Sequence, residues 1–294
     1  MAQQIMMRLH PECIPCLLSA SLRAARLLGI PEGKRWEIVE KVAPLALSLP
    51  RDWPPLLVGG RVQRAVEGTT GAVDPFRDVK RTANERALKW LGVLRERIAG
   101  VDDPLEEALR VAAAGNMIDF GVMDSVDLEE TLAKAEEASD HFRYREFSEA
   151  LSACKKILYI GDNAGEIVWD MLVVEELLRH GVEVVFAVRS GPALNDATLE
   201  DARLVGLDRL CRVIETGAAL PGITLAEASE EFRREFEIAD IVLAKGMGNF
   251  EGLSGESEKI FFLLVAKCIP VARELGVPVG TVVLRRDSPL KVSR

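Results

Sequence analysis

The chain has 294 residues, of which 48% are hydrophobic, enough for a sizeable core in one large domain or two lobes. Its net charge of −9 argues against a general nucleic-acid surface and against an anionic membrane surface, because both need a basic field. It contains no apolar run of the length that a transmembrane helix needs and no signal-peptide pattern, so we expect a cytoplasmic protein that binds neither nucleic acid nor membrane.

The first half of the chain is predicted to be helical. Several segments place apolar residues three and four positions apart with charged residues between them, which is the pattern of an amphipathic helix. These segments are residues 17–29, 33–47, 61–71, 84–100, 104–121, 127–140 and 145–154. Strand-like runs are scarce before residue 155, so we predict a helical lobe over residues 1–150.

The second half alternates short β-branched runs with helical segments. The runs cover residues 156–161, 182–188, 211–216, 240–246 and 279–284. Such alternation indicates a parallel sheet covered by helices on both faces. The run 261–266 fits either a further strand or a buried helix. The predicted fold class is therefore α/β, with the helical lobe packed on a Rossmann-like three-layer α/β/α lobe with a mostly parallel sheet (residues 151–294), and the two lobes could form one compact domain.

Polar side chains follow three of the predicted strands. Asp162 and Asn163 follow the first, Asn195 and Asp196 the second, and Lys245 the fourth. In open parallel sheets, ligands bind beyond the carboxyl ends of the strands. Carboxylate and amide oxygens are the ligands that Mg²⁺ and Mn²⁺ prefer, so Asp162, Asn163 and Asp196 are candidate metal ligands.

The same loops also favour phosphate binding. Glycines allow the backbone to approach a ligand closely and leave N–H groups free for phosphate oxygens. They occur at positions 161, 165, 191, 246 and 248. Lys245 supplies a point charge. Each loop alone fits a simple turn or helix cap, but their coincidence at three strand ends favours a binding site.

Other phosphate and metal motifs are absent from the sequence. The first loop does not match G-x-G-x-x-G, and no G-x-x-x-x-G-K-[ST] motif occurs. Ala164 stands where a phosphatase with an Asp-x-Asp nucleophile would need its second aspartate. The three histidines are scattered and form no zinc motif. Asp162 therefore fits a metal ligand better than a phosphorylated nucleophile.

Five segments, in this order, resemble the damage-control phosphatase family, also known as domain of unknown function 89, in its prokaryotic branch with a C-x-x-C motif. They are HPECIPCLL (10–18), GNMIDFG (115–121), GDNAGEIVWD (161–170), GPALNDAT (191–198) and KGMGNFEGL (245–253). The resemblance implies a metal-dependent phosphatase that uses Mg²⁺, Mn²⁺, Co²⁺ or Ni²⁺.

The resemblance also implies roles for individual residues. The metal ligands fall on Asp162, Asn163 and Asp196. Lys245 falls on the phosphate-contacting lysine, and the adjoining loop, with Gly246, Gly248 and Asn249, is expected to bind the other phosphoryl oxygens. Asn116 and Asp119 are expected to line the pocket from the helical lobe.

The predicted mechanism is attack of a metal-activated water on a phosphate monoester. Asp162 acts through the metal ion, and either Asp119 or Glu166 serves as general base. The expected substrate is a small phosphorylated metabolite such as a sugar phosphate. Two alternatives remain open: an S-adenosylmethionine-dependent carboxyl methyltransferase and a non-catalytic protein that binds phosphorylated metabolites.

The pair Cys13 and Cys16 is predicted either to pack as structural residues or to take an accessory metal or redox role. Its position at the start of a helix would activate the thiols. The sequence does not indicate an oligomeric state.

Overall fold

The computed structural model describes residues 7–118, 128–136 and 139–287. Eight helices of these ranges precede the first strand. They are α1 (Cys13–Leu27), α2 (Glu32–Ser48), α3 (Pro55–Thr70), α4 (Arg77–Leu88), α5 (Leu91–Ala99), α6 (Pro104–Met117), α7 (Leu128–Glu136) and α8 (Tyr144–Leu151). The helical first half is therefore confirmed, although the segment predicted as one helix over 84–100 forms two, α4 and α5.

The second half alternates strands and helices as predicted. Its elements are β1 (Lys156–Ile160), α9 (Glu166–Arg179), β2 (Glu183–Val188), α10 (Leu199–Val205), β3 (Arg212–Glu215), α11 (Glu230–Ile238), β4 (Ile241–Lys245), α12 (Gly246–Leu253), β5 (Ile260–Val265), α13 (Ile269–Leu275) and β6 (Val282–Arg286). Short 3₁₀ helices cover Ser139–His141 and Leu207–Arg209. None of the helices in the described ranges combines the length and apolar character needed to cross a lipid bilayer.

The strands form one six-stranded sheet in the order β3-β2-β1-β4-β5-β6. Strands β1 to β5 are parallel, and β6 pairs antiparallel with β5. The α/β class with a mostly parallel sheet is thus confirmed, and the open run 261–266 belongs to a strand. From β1 the chain continues to β2 and β3 on one side of the sheet, and from β4 it continues to β5 and β6 on the other side. The carboxyl ends of the neighbours β1 and β4 therefore form the switch point at which α/β sheets bind ligands.

Helix α9 joins the helical half to the sheet. It is buried on nearly all sides, and its Trp169 has no exposed surface. Helix α6 carries the small residues Ala112 to Gly115 near its C-terminal end, and a methyl group at Gly115 would lie 3.3 Å from the Trp169 ring. This close contact places the C-terminal end of α6 beside the loop after β1. The predicted boundary near residue 150 stays a prediction.

A buried polar network also holds that loop from the helical side. The Asn84 carboxamide oxygen on α4 accepts the Gly165 N–H at 2.7 Å, and its amide group donates to Asp201 at 2.9 Å. Asp201 closes a capping box with Thr198 at the start of α10. Lys80 donates to the same carboxylate at 3.3 Å. Asn84 therefore fixes the turn that leads from β1 into α9.

Replacement of Asn84 by alanine should lower the free energy of unfolding by about 1–3 kcal/mol, because the buried Gly165 N–H and Asp201 each lose a partner. Urea unfolding monitored by circular dichroism measures this change. The adjacent Glu85 is exposed, so E85A is the matched control and should change the stability by less than about 0.5 kcal/mol. Equal effects of the two substitutions would contradict the proposed network.

Candidate active site

Backbone hydrogen bonds join the loops that follow β1 and β2. The Ala197 N–H donates to the Asp162 carbonyl at 2.8 Å, and the Ala164 N–H donates to the Asn195 carbonyl at 2.9 Å. Asn163 and Asp196 face each other in an isolated antiparallel bridge. The three predicted metal ligands, Asp162, Asn163 and Asp196, therefore lie together at the carboxyl edge of the sheet.

The end of β4 approaches the same point through a glycine. Gly246 has a φ of +79°, and a side-chain carbon there would lie 2.0 Å from an Asp162 carboxylate oxygen. Only glycine fits, because both the conformation and the space exclude a side chain. The segment predicted as a loop after β4 is instead helix α12, which begins at Gly246.

A buried arginine links the two aspartates. Arg189, at the end of β2, is 1% exposed, and its Nε donates to Asp196 at 2.6 Å. One terminal nitrogen donates to the Asn249 carboxamide oxygen at 3.0 Å, and the other lies 3.5 Å from Asp162. Asn249 in turn donates to the carbonyls of Gly161 and Lys245, at 3.1 and 2.6 Å. Asn249 thus holds the strand ends together, and its side chain is fully buried outside the described cavity lining.

Lys245 points into the protein. Its side chain has no exposed surface, and its ammonium group donates to Glu166 at 2.7 Å, to Asp170 at 2.6 Å and to the Ala112 carbonyl at 3.1 Å. These contacts use all three N–H groups. Burial disfavours the charge, but the two carboxylates outweigh it and raise the pKa of Lys245. The geometry corrects the predicted phosphate contact, because Lys245 fixes carboxylates of the protein itself.

The second oxygen of Glu166 orients two carboxamides. It accepts hydrogen bonds from Asn116 at 2.8 Å and from Asn163 at 3.0 Å. Burial works against its charge, yet Lys245 and Lys267 bring the pKa of Glu166 below its ordinary value. A carboxylate with both oxygens occupied and a low pKa is poorly suited to accept a proton. Glu166 therefore fits a positioning role better than the predicted role of general base.

Negative charge exceeds positive charge in this buried cluster. Burial, with help from Asp196 and Glu166, raises the pKa of Asp162 well above its ordinary value. Burial also raises the pKa values of Asp196 and Asp170 to about 6, although Arg189 and Lys245 oppose it. With all carboxylates ionised, two negative charges are left uncompensated. The members of the cluster are Asp162, Glu166, Asp170, Asp196, Arg189 and Lys245.

The donor set fits a hard divalent cation. Asp162, Asn163 and Asp196 offer oxygen ligands, and a charge of two would balance the cluster. Among the described residues, no three His, Cys, Asp or Glu side chains form a group that could hold a metal ion. An ion at this edge would therefore depend on the Asn163 carboxamide, with water and substrate oxygens completing its coordination, as is common for Mg²⁺.

A cavity of about 350 Å³ opens beside these residues. Its described lining combines carboxamides, cations and apolar side chains and includes no carboxylate. The lining residues are Arg23, Val79, Lys80, Ala83, Asn116, Met117, Ile118, Asn163, Ala164, Asn195 and Lys267. Lys267 follows β5 and is exposed, and its charge acts on both Asp162 and Glu166. A positive charge thus lines the cavity at the carboxyl end of β5, which none of the family motifs includes.

The predicted substrate residues divide into two groups. Asn116 lines the cavity, with its amide group 3.4 Å from Asp162. Gly248 is not part of the described lining and instead packs closely on the chain at Pro221, where a side-chain carbon at position 248 would lie 2.0 Å from the Pro221 carbonyl oxygen. Like Asn249, Gly248 serves the packing of the loops. Asp119 lies outside the described residues, so its role stays a prediction.

A model of the damage-control phosphatase ARMT1-like domain matches residues 9–283, which is nearly the whole chain. The chain belongs to the damage-control phosphatase family.

Relatives from archaea agree with this assignment. A damage-control phosphatase of Archaeoglobus fulgidus is 35% identical over 290 residues, which cover 95% of this chain and 99% of that protein. A damage-control phosphatase of Pyrococcus horikoshii is 34% identical over 286 residues, which cover 96% and 99%. A crystal structure of a DUF89 family protein from Pyrococcus horikoshii has a TM-score of 0.88 with 34% identity, over 96% of this chain and 100% of that one. The fold and the family are therefore shown over nearly the full length.

Three charged residues of the site, Arg189, Asp170 and Lys267, were not predicted from the family motifs. Arg189 directly follows the apolar run of β2, at the same edge as Asp162. Asp170 is a single carboxylate within the apolar stretch of α9. Lys267 would have been found if the run 261–266 had been assigned as a strand. Each of them could have been predicted from one feature of the sequence, a charged residue that follows a buried strand or interrupts a buried helix.

The pair Cys13 and Cys16 lies in the first turn of α1, and both thiols are free. Burial raises the pKa of Cys13 to about 11 and also raises that of Cys16. The expected activation of these thiols is therefore wrong, because burial disfavours the thiolates and both pKa values are raised.

Replacement of Lys245 by methionine should lower the free energy of unfolding by about 3–5 kcal/mol, because it leaves Glu166 and Asp170 buried without their cation. Chemical denaturation measures the loss. The exposed Lys155 provides the matched control K155M, with an expected change below about 0.5 kcal/mol. Adding Asp170→Asn to K245M should restore part of the lost free energy of unfolding, because one of the two unpaired carboxylates is then removed. A K245M protein as stable as K155M would contradict the role of Lys245 as the buried cation of Glu166 and Asp170.

Proposed function

We propose that this family member is a divalent-metal-dependent phosphatase that hydrolyses small phosphorylated metabolites in the cytoplasm. The main observation behind this proposal is the distribution of charge at the carboxyl ends of the strands. A buried cluster of four carboxylates and two cations stands beside a cavity whose described lining has cations and carboxamides but no carboxylate. The cluster suits a divalent cation, and the cavity suits the phosphate ester that the cation would meet.

Asp162, Asn163 and Asp196 would hold the ion, which we propose to be Mg²⁺, Mn²⁺, Co²⁺ or Ni²⁺. When bound, such an ion supplies Lewis acidity toward a phosphoryl oxygen and lowers the pKa of a coordinated water. All four metals fit the ligand set, because carboxylate and carboxamide oxygens suit Mg²⁺ and Mn²⁺ and also accept other first-row metals.

Side chains of the protein orient the phosphate ester and neutralise its negative charge. Lys267 neutralises a non-bridging phosphoryl oxygen from the cavity side. Arg189 is buried and is not part of the described cavity lining, so it acts on the ester only through Asp162 and Asp196, which it holds in place. Asn116 binds and orients the ester from the end of α6. Glu166 keeps the carboxamides of Asn116 and Asn163 in place, and Asp119 remains the proposed proton acceptor.

Asp162→Ala should reduce metal-dependent turnover at least about a hundredfold while the protein stays folded, because it removes a proposed ligand of the ion. The measurement is phosphate release from p-nitrophenyl phosphate and from sugar phosphates. It is made after chelation and again after each of the four metals is added back. Circular dichroism verifies the fold of every variant.

The exposed Asp208 supplies the matched control, and D208A should retain the wild-type rate. Turnover that survives chelation, or that is undiminished in D162A, would contradict the metal-dependent mechanism. Binding of phosphate esters without turnover under any metal would point to the non-catalytic binding protein.

Lys267→Ala should lower kcat/KM by about 10- to 100-fold, since it removes a charge-assisted contact worth about 1.5–3 kcal/mol. Steady-state kinetics at fixed metal concentration measures the loss. Lys267→Arg keeps the charge and should retain most of the activity, whereas K155A on the exposed surface should change nothing. A K267A enzyme with wild-type kcat/KM would remove Lys267 from the site.

A further inference from the structure

The segment between β2 and Asp196 contains a residue in a strained backbone conformation. Leu194 has a φ of +51°, and every other described residue with a positive φ is a glycine. A side chain makes this left-handed conformation unfavourable by about 1–2 kcal/mol, so the surrounding structure must hold it. Leu194 is followed directly by Asn195, which lines the cavity, and by Asp196, which lies at the proposed metal site.

Gln63 on α3 holds this segment from the helical half of the chain. Its amide nitrogen donates to the Pro192 carbonyl at 2.6 Å, and its amide oxygen accepts the Leu194 N–H at 3.1 Å. The same nitrogen donates to Glu67, one turn later on α3, at 2.9 Å. A carboxamide presents a donor and an acceptor side by side, so one side chain satisfies two backbone groups of the strained segment.

Apolar packing holds the same segment through the side chain of Leu194. This side chain packs against the apolar cluster formed mainly by α1, α2 and α3, and it lines a narrow apolar cavity of about 50 Å³ beside Gln63. The packing and the two hydrogen bonds all act on residues 192–194. The helical half of the chain therefore holds the strained conformation.

The conformation at Leu194 sets the path of the chain into the site. The Asn195 carbonyl accepts the Ala164 N–H at 2.9 Å, and the Asp196 N–H donates to the Ala193 carbonyl at 3.0 Å. A change in one backbone dihedral rotates the chain that follows it, because φ and ψ are the only soft torsions of the backbone. A different φ at Leu194 would therefore turn Asn195 and Asp196 away from these partners.

We propose that Gln63 is a positioning residue, which keeps residues 192–194 in the strained conformation that sets Asn195 and Asp196 at the edge of the sheet. Gln63 is not part of the described cavity lining, so it acts through the segment 192–196 rather than on the ester. Strain persists only where the surroundings over-determine it, so the segment should relax when both hydrogen bonds are lost.

Loss of this restraint should also weaken metal binding. An ion that binds to a relaxed segment has to order it first, and this ordering costs affinity. The effect on metal affinity rests on the proposed phosphatase function, whereas the effect on the conformation of residues 192–196 does not.

The test uses Gln63→Met in the full chain, because methionine keeps the length and the apolar contacts of the side chain but makes neither hydrogen bond. Amide hydrogen exchange is followed without added metal by mass spectrometry of peptides that span residues 190–198. Exchange there should become about ten- to a hundredfold faster in Q63M, since two hydrogen bonds are lost, and exchange in β4 and β5 should not change. Gln63→Glu keeps the acceptor for the Leu194 N–H but loses the donor for Pro192, so its exchange rate should be intermediate.

Arg64 is exposed and directly follows Gln63 on α3, and R64M is the matched control that should exchange like the wild type. Wild-type exchange at residues 190–198 in Q63M overturns the proposal. So does exchange that is faster by the same factor throughout the chain, because the substitution would then lower only the global stability.

Calorimetric titration with Mn²⁺ after chelation measures the consequence at the metal site. Q63M should raise the Kd about five- to fiftyfold over that of the wild type and of R64M, with Q63E between them. Faster local exchange with an unchanged Kd would overturn the positioning of Asp196 by Gln63. A wild-type protein that binds no Mn²⁺ would contradict the proposed metal-dependent function, and the exchange at residues 190–198 would still decide whether Gln63 holds the segment.

Discussion

The buried ammonium group of Lys245 is the interaction on which the rest of the site depends. It joins the end of β4 to α9 through Glu166 and Asp170, and to α6 through the Ala112 carbonyl. A buried charge is tolerated only with complete pairing, so these three elements must meet in one arrangement. The other oxygen of Glu166 accepts a hydrogen bond from Asn163 and sets its orientation, so the position of a proposed metal ligand depends on a lysine that has no exposed surface.

The cations of the site fall into two groups, those buried in the protein and those that line the cavity. Arg189 and Lys245 lie in the buried cluster and hold aspartates and a glutamate, which preorganises the carboxylates in spite of their mutual repulsion. Lys267 is exposed and lines the cavity instead. This division suits phosphoryl transfer, in which most of the catalysis comes from positioning and charge stabilisation by groups that are already in place.

Particular elements show where reasoning from sequence succeeded. The alternation of β-branched runs and amphipathic segments predicted the parallel sheet, because hydrophobic periodicity reflects which faces of an element are buried. The helix predicted over 84–100 was wrong in detail, since the pattern of apolar residues continues across the break between α4 and α5. The run 261–266 could not be assigned, because a strand buried on both faces and a buried helix have the same apolar composition.

The sequence by itself determined the fold class and the grouping of Asp162, Asn163 and Asp196. The carboxyl ends of parallel strands share one edge, so residues that follow such strands meet whatever the details of packing. Only the tertiary structure decided where the side chains of Lys245, Asn249, Arg189 and Lys267 lie and what they contact. Whether a side chain at a strand end turns toward the protein or the cavity depends on the groups that other elements place beside it, here Asp170 from α9 and Asn116 from α6. These contacts join residues far apart in the chain, and no local pattern encodes them.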